Sequence, residues 1–169
     1  MERKLKLTVK GVLATEAKME SKKKTAVITG ATSGLGLAYA ERMAADGYDL
    51  IITGRREEII KANAERIMHE YGRSVEVCIA DLSDEEGVNK LIDILNNKNI
   101  SILVNNAGFG LKTKFIDTNY CDVKRLLYLH IMAVTKLTYF VLQGMKQRNK
   151  GTIINISSDG AFAVLPKNV

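Results

Sequence analysis

One glycine-rich segment, Thr29–Gly36, constrains the fold of this chain more than any other part of the sequence. It follows an apolar run at 25–29 that is typical of a buried strand, and it precedes an amphipathic stretch typical of a helix. Gly30 permits a tight turn, Gly34 lets a ligand approach the backbone, and Gly36 lets the helix pack closely on the strand. A helix that begins here presents free N–H groups to an anion. The segment therefore predicts a phosphate-binding loop between a strand and a helix.

The rest of the chain alternates short apolar runs with longer amphipathic stretches. The pattern predicts strands at 25–29, 48–53, 75–80, 100–105 and 152–157, and helices at 35–46, 56–71, 84–97 and 120–148. Apolar strands separated by helices indicate a parallel sheet that is covered on both faces. With right-handed crossovers this is an α/β fold, a Rossmann-type doubly wound parallel sheet, whose ligands bind at the carboxyl ends of the strands.

The predicted helix at 120–148 is apolar around more than one face. Such a helix is expected to be buried on both sides, with the sheet on one side and a partner subunit on the other. A membrane span is the alternative, and His130 and Lys136 disfavour it because they interrupt the apolar run. We therefore predict no association with a membrane.

Most of the net charge of +6 lies in a basic leader at 1–24. Aromatic residues make up only 6% of the chain and no basic stripe is interleaved with them, which disfavours nucleic-acid binding. The longest uncharged stretch of the leader, 11–15, is too short for a secretory signal. We expect the leader to be disordered, with Met19 as an alternative start of the protein, and 25–169 to form one domain.

The two cysteines, Cys78 and Cys121, both lie in apolar segments. This predicts buried free thiols in a reducing cytoplasm rather than a disulfide framework. The sequence contains no His/Cys cluster with the spacing of metal ligands. We therefore expect a cytoplasmic protein without a metal site.

The end of the second predicted strand bears on the choice of cofactor. An NAD site usually has an acidic residue here, about 20 residues after the glycine loop, which binds the ribose 2′-hydroxyl. This chain has Arg55 and Arg56 instead, and its first carboxylate is Glu57. Two guanidinium groups suit a 2′-phosphate. The alternative is that both are solvated residues at a helix start; we predict NADP(H) rather than NAD(H).

Taken together, these motifs resemble the classical short-chain dehydrogenase/reductase family over residues 25–169. The resemblance rests on TGATSGLG at 29–36, Asp81-Leu82 after the third strand, NNAG at 105–108 after the fourth and NISS at 155–158 after the fifth. It implies that the cofactor-binding residues are Gly30, Thr32, Ser33, Gly34, Leu35, Gly36, Arg55, Arg56, Asp81, Leu82, Asn105, Asn106, Ala107 and Gly108.

The resemblance also implies a reaction, hydride transfer between a nicotinamide and a carbonyl or alcohol carbon. It implies that Asp81 and Leu82 bracket the adenine and that Ser158 hydrogen-bonds the substrate carbonyl. The segment NNAGFG at 105–110 is most similar to that of family members that act on 3-ketoacyl or 3-hydroxy acid-type substrates. The family's full-length form is expected to be a homo-oligomer. The alternative is a protein that binds NADP(H) as a sensor or remnant without catalysis.

Two departures from the family pattern bear on catalysis. The Tyr-x-x-x-Lys pair of the family is expected beyond Ser158 and is not reached by Val169. We therefore expect the last strands of the family's sheet to be missing and this chain alone to be inactive. Tyr120 and Lys124 have the same spacing but precede the long helix, so we interpret them as a coincidence. His130 stands where the family has an asparagine. A proton relay and a structural helix histidine are both open interpretations.

Overall fold

Five parallel strands form one sheet in the order β3-β2-β1-β4-β5. This computed structural model describes residues 24–111 and 113–158, so the proposed start at Met19 and all of the leader except Lys24 lie outside the described residues. The strands are β1 (Thr25–Thr29), β2 (Asp49–Gly54), β3 (Val75–Ile79), β4 (Ile100–Asn105) and β5 (Thr152–Asn155). The predicted Rossmann-type parallel sheet is confirmed.

Seven helical segments accompany the sheet among the described residues. They are α1 (Gly34–Ala45), α2 (Glu57–Tyr71), α3 (Glu85–Leu95), a short 3-10 turn (Phe115–Asp117), α4 (Tyr120–Leu127) and α5 (Val134–Gln147), with a π-helical segment (Tyr128–Ala133) between the last two. The sequence-based bounds differ by a residue or two at most ends, as is usual for frayed termini. The long helix predicted over 120–148 is observed as one continuous helical span, Tyr120–Gln147, whose middle part is π-helical.

The side chains of β1 alternate between two apolar cores. Ala26 and Ile28 face helices α1 and α2, while Val27 faces α3 and α5. All three are fully buried, as is Leu137 of α5 at 1% exposure. Burying one isoleucine or leucine contributes about 2 kcal/mol. The two cores hold β1 in the middle of the sheet, so the loop that follows β1 lies at the point where the strand order reverses.

One stripe of the long helical region packs on the sheet. Its buried residues recur every four positions at Leu129, Ala133, Leu137, Val141 and Met145. The opposite side exposes apolar side chains, namely Leu127, Ile131, Met132, Tyr139 and Leu142. Burial on both sides is thus not achieved within the described chain, and the exposed face has the character of an interaction surface.

The span Tyr120–Gln147 is also long and apolar enough to cross a membrane, the one helical span of this kind among the described residues. Its buried stripe forms part of the core beside β4, and 22% of its most apolar window is buried. The absence of membrane association stays a prediction.

The two thiols have different environments. Cys78 is buried, whereas Cys121 is exposed, because α4 buries none of its residues. The prediction that both thiols are buried is therefore wrong for Cys121. Burial raises the pKa of the Cys78 thiol. Among the described residues no group of His, Cys, Asp or Glu side chains could hold a metal ion.

Candidate cofactor-binding site

An open cavity of about 490 Å³ lies where the loops after β1, β2, β3 and β4 converge. Its size is typical of a site for a small molecule or cofactor. The residues predicted from the sequence that line it are Gly30, Thr32, Ser33, Leu35, Arg55, Arg56, Asp81, Leu82, Asn106, Ala107 and Gly108. The structure thus brings together four separate predicted motifs at one edge of the sheet.

The glycine loop is packed too closely for side chains at two of its positions. A Cβ atom on Gly36 would lie 2.3 Å from the carbonyl oxygen of Gly30, and one on Gly30 would lie 2.8 Å from Cα of Ala107. Gly30 and Gly34 also have positive φ angles of 70° and 58°, which favour glycine. Gly34 and Gly36 do not line the cavity. Their part is to shape the turn that leads into α1.

The N-terminus of α1 opens toward this cavity. Ser33 is its N-cap residue and its side chain makes no capping hydrogen bond, and the first turn contains no acidic residue. Leu35 of that turn is 63% exposed. The positive end of the helix dipole is therefore not offset by an acidic side chain of its first turn, an arrangement that suits a phosphate group.

Thr29 connects the glycine loop to the NNAG segment. Its hydroxyl accepts hydrogen bonds from the backbone N–H groups of Asn106, at 2.9 Å, and Ala107, at 3.0 Å, and donates one to the carbonyl of Val104 at 3.3 Å. The Asn106 amide donates in the opposite direction, to the carbonyl oxygens of Thr29 and Gly30. These bonds fix two walls of the cavity relative to each other.

Both arginines after β2 line the cavity. Arg56 donates from Nη2 to the hydroxyl groups of Thr32 and Ser33, at 2.8 Å each. The Arg55 guanidinium lies 6.0 Å from the centre of the Phe109 ring, and its side chain is 58% exposed. The two guanidinium groups therefore stand beside the glycine loop, with Arg55 largely open to solvent.

Asp81 provides the only carboxylate among the described residues that line the cavity. Its Oδ1 accepts the backbone N–H of Ser83 at 3.0 Å, and its Oδ2 lies 3.5 Å from Nη1 of Arg55 and 2.9 Å from Nη2 of Arg125. Partial burial raises the pKa of Asp81, but the hydrogen bonds from Ser83 and the charges of both arginines lower it more. The net effect is a pKa below the ordinary value, so the group is ionised at neutral pH.

Besides Gly34 and Gly36, three further predicted site residues lie outside the lining of the cavity. Asn105 is buried and donates to Oδ1 of Asn155, at 2.8 Å, and to the Thr138 hydroxyl, at 3.1 Å, so it braces β4 against β5 and α5. Nε2 of His130 lies 2.9 Å from the carbonyl oxygen of Phe109. Ser158 is exposed after β5. His130 thus contacts a residue of the cavity lining, whereas neither His130 nor Ser158 lines the cavity itself.

Sequence reasoning missed several residues that shape this site. Phe109 lines it, Thr29 and Arg125 support it through the hydrogen bonds given above, and a Cβ on Gly87 would lie 1.8 Å from the carbonyl oxygen of Asp81. Gly87 was detectable, because a glycine inside an amphipathic helix indicates close backbone packing. Arg125 was not, since it has the appearance of an ordinary solvated charge on a helix.

Comparison with known proteins is consistent with this geometry. A family model described as short chain dehydrogenase matches residues 24–169. A very-long-chain 3-oxoacyl-CoA reductase from Anas platyrhynchos is 38% identical over 146 residues, which cover 83% of this chain and 47% of that protein.

Solved structures give the same result. A short-chain dehydrogenase from Sphingobium yanoikuyae in complex with NADPH aligns with a TM-score of 0.79 and 36% identity, over 83% of this chain and 55% of that one. L-sorbose reductase from Gluconobacter frateurii, complexed with NADPH and L-sorbose, aligns with a TM-score of 0.80 and 30% identity, over 86% and 56%. The chain thus spans about half the length of the proteins it matches. It belongs to the short chain dehydrogenase family.

Proposed function

We propose that this protein is an NADP(H)-dependent short-chain oxidoreductase that acts on a carbonyl or alcohol substrate. The observation that carries the proposal is the placement of two guanidinium groups, Arg55 and Arg56, beside a glycine loop at the open N-terminus of α1. NADPH is present in structures of two relatives, from Sphingobium yanoikuyae and Gluconobacter frateurii. When bound, the cofactor would supply the hydride, and the protein would supply orientation and electrostatics.

The residues present fit such a dinucleotide. The loop around Gly36 leaves no room for a side chain, which is the cradle that a pyrophosphate needs near a helix N-terminus. Arg55 and Arg56 offer hydrogen-bond donors to a 2′-phosphate, together with the hydroxyl groups of Thr32 and Ser33. Asp81 and Leu82 would flank the adenine by the family resemblance.

The substrate class is proposed from one sequence segment and one relative. The NNAGFG wording and the name of the Anas platyrhynchos relative, a 3-oxoacyl-CoA reductase, both favour a 3-ketoacyl or 3-hydroxyacyl substrate. Ser158 is proposed to hydrogen-bond the substrate carbonyl. His130 is proposed to position the loop at Gly108 and Phe109, because its ring lies against both residues.

Assembly and location are further parts of the proposal. The exposed apolar face of the long helical region, which includes Ile131, Met132 and Tyr139, supports a homo-oligomer in which a second subunit covers it. A cytoplasmic location is proposed because both cysteines among the described residues are free thiols, as is usual in a reducing compartment.

Substitution of Arg55 tests the choice of cofactor. We expect Arg55→Asp to lower the affinity for NADPH by about 10- to 100-fold, because a charge-assisted hydrogen bond is replaced by repulsion of the 2′-phosphate. The affinity for NADH should stay within about threefold, since NADH has no 2′-phosphate. Fluorescence titration of the full chain with each cofactor measures both values.

The matched control is Arg42→Asp, which makes the same charge change in the last turn of α1, at the helix end away from the glycine loop. We expect this control to leave the ratio of the two affinities unchanged. An Arg55→Asp variant that keeps the preference of the unmodified chain would contradict the assignment of the 2′-phosphate to Arg55.

A further inference from the structure

A third arginine, Arg125, contacts the loop after β3 beside the cavity. Arg125 lies on α4, 44 residues from Asp81 in the sequence, and its Nη2 donates to Oδ2 of Asp81 at 2.9 Å. Its Nε donates at the same time to the hydroxyl of Ser83 at 3.1 Å. The planar guanidinium thus binds two residues of the loop after β3 at the same time.

Arg125 and Arg55 share one acceptor atom. Oδ2 of Asp81 accepts the short contact from Arg125, whereas Nη1 of Arg55 stands at 3.5 Å, beyond the usual length of a charge-assisted hydrogen bond. Arg55 is also the more exposed of the two, with 58% of its side chain accessible against 47% for Arg125. Asp81 therefore holds Arg125 more closely than it holds Arg55.

We propose that Arg125 is a positioning residue for cofactor discrimination: by occupying Asp81 it leaves the Arg55 guanidinium available to a 2′-phosphate. This inference rests on the proposed binding of NADP(H). Arg125 itself lines no part of the cavity, so it acts through Asp81 rather than by touching the cofactor.

Asp81, Arg55 and Arg125 form a cluster with a net positive charge. One carboxylate and two guanidinium groups leave one positive charge in excess, which suits the additional anionic group of NADP(H). Without Arg125, Asp81 and Arg55 would form a neutral pair on the existing 3.5 Å contact, and an anionic ligand would have to break it. A partly exposed ion pair of this kind contributes little binding energy on its own, so we expect a modest change in the affinity for NADPH.

The test is the ratio of NADPH to NADH affinity, measured by fluorescence titration of the full chain. We expect Arg125→Gln to weaken NADPH binding by roughly fivefold and to leave NADH binding within about twofold. The matched control is Lys124→Gln, which removes the same charge from the adjacent exposed position on α4. This control should leave both affinities unchanged. If Arg125→Gln weakens the binding of NADPH and NADH equally, Arg125 has a purely structural role and the proposal is overturned.

The Asp81→Asn variant provides a second, independent test of the proposal. Removing the carboxylate should raise the NADPH to NADH ratio, because Arg55 is then held by no acid. On this background Arg125→Gln should no longer change the ratio, since its effect passes through Asp81. A ratio that still falls would show that Arg125 acts on the cofactor directly, which contradicts the proposal. If Arg125→Gln loses its folded circular dichroism spectrum, the Asp81→Asn ratio decides alone, and an unchanged or lower ratio overturns the proposal.

The unmodified chain separates this inference from the function on which it rests. If it binds neither cofactor, or both equally, the proposed NADP(H) function fails before any variant is compared, and the inference fails with it. If it prefers NADPH and Arg125→Gln retains the full preference, only the inference about Arg125 fails.

Discussion

Replacement of Gly36 by alanine is expected to weaken the binding of NADPH by more than about tenfold and to destabilise the fold. The new Cβ atom would lie 2.3 Å from the carbonyl oxygen of Gly30 and 2.5 Å from Nδ2 of Asn106, so the turn and the NNAG segment would both have to move. Overpacking of this kind typically costs about 1–3 kcal/mol of unfolding free energy. Because the displaced atoms form the wall of the cavity, the affinity for NADPH should fall by more than about tenfold. Urea unfolding and fluorescence titration measure the two effects.

A second helical glycine supplies the control for this substitution. At Gly144 in α5 a Cβ would meet only the side chain of Arg148, with Nη1 nearest at 2.8 Å, and this flexible side chain can move aside if it gives up its hydrogen bond to the carbonyl of Ile100. Gly144→Ala should therefore change the unfolding free energy by less than about 1 kcal/mol, because the helix propensity of alanine offsets the loss of that hydrogen bond. If Gly36→Ala behaves like Gly144→Ala in both measurements, the close packing of the loop has no functional importance.

The second large effect is expected at Thr29. Thr29→Val keeps the shape of the side chain but removes the acceptor for the N–H groups of Asn106 and Ala107. Each partly buried donor left without a partner costs about 1–3 kcal/mol, so we expect a loss of about 3 kcal/mol in unfolding free energy. NADPH binding should weaken as well, because the NNAG segment is no longer tied to β1. Urea unfolding measures the first effect.

Thr25→Val is the control within the same strand. The Thr25 hydroxyl makes no hydrogen bond with any side chain or backbone group that the structure describes, and its substitution should change the unfolding free energy by less than about 0.5 kcal/mol. Equal losses for the two variants would mean that the hydroxyl of Thr29 has no special part in holding the loop.

Much of the fold was predictable because its signals are local. Strands β1 and β2 are buried on both faces, so they read as unbroken apolar runs, and the glycines at 30 and 36 mark the turn between β1 and α1. The cavity was predictable for the same reason: its motifs all follow strands, and the carboxyl ends of parallel strands share one edge.

The errors and omissions arise where long-range contacts decide. Cys121 was expected to be buried, but α4 lies on the surface and buries none of its residues, so the thiol is exposed. Arg125 finds its carboxylate 44 residues away, and Thr29 finds its partners 77 and 78 residues away. No periodicity encodes such pairs. The π-helical segment at Tyr128–Ala133 is likewise invisible in an apolar pattern that continues through it.

The binding of NADP(H) at the carboxyl ends of the strands is tested most directly by calorimetric titration of the unmodified chain with NADPH and with NADH. We expect NADPH to bind at least about tenfold more tightly than NADH, because only NADPH carries the 2′-phosphate that Arg55 and Arg56 can reach. The preference should shrink as salt is added, since it rests on partly exposed charges. Absence of binding by both cofactors, or equal affinity for the two, would contradict the account.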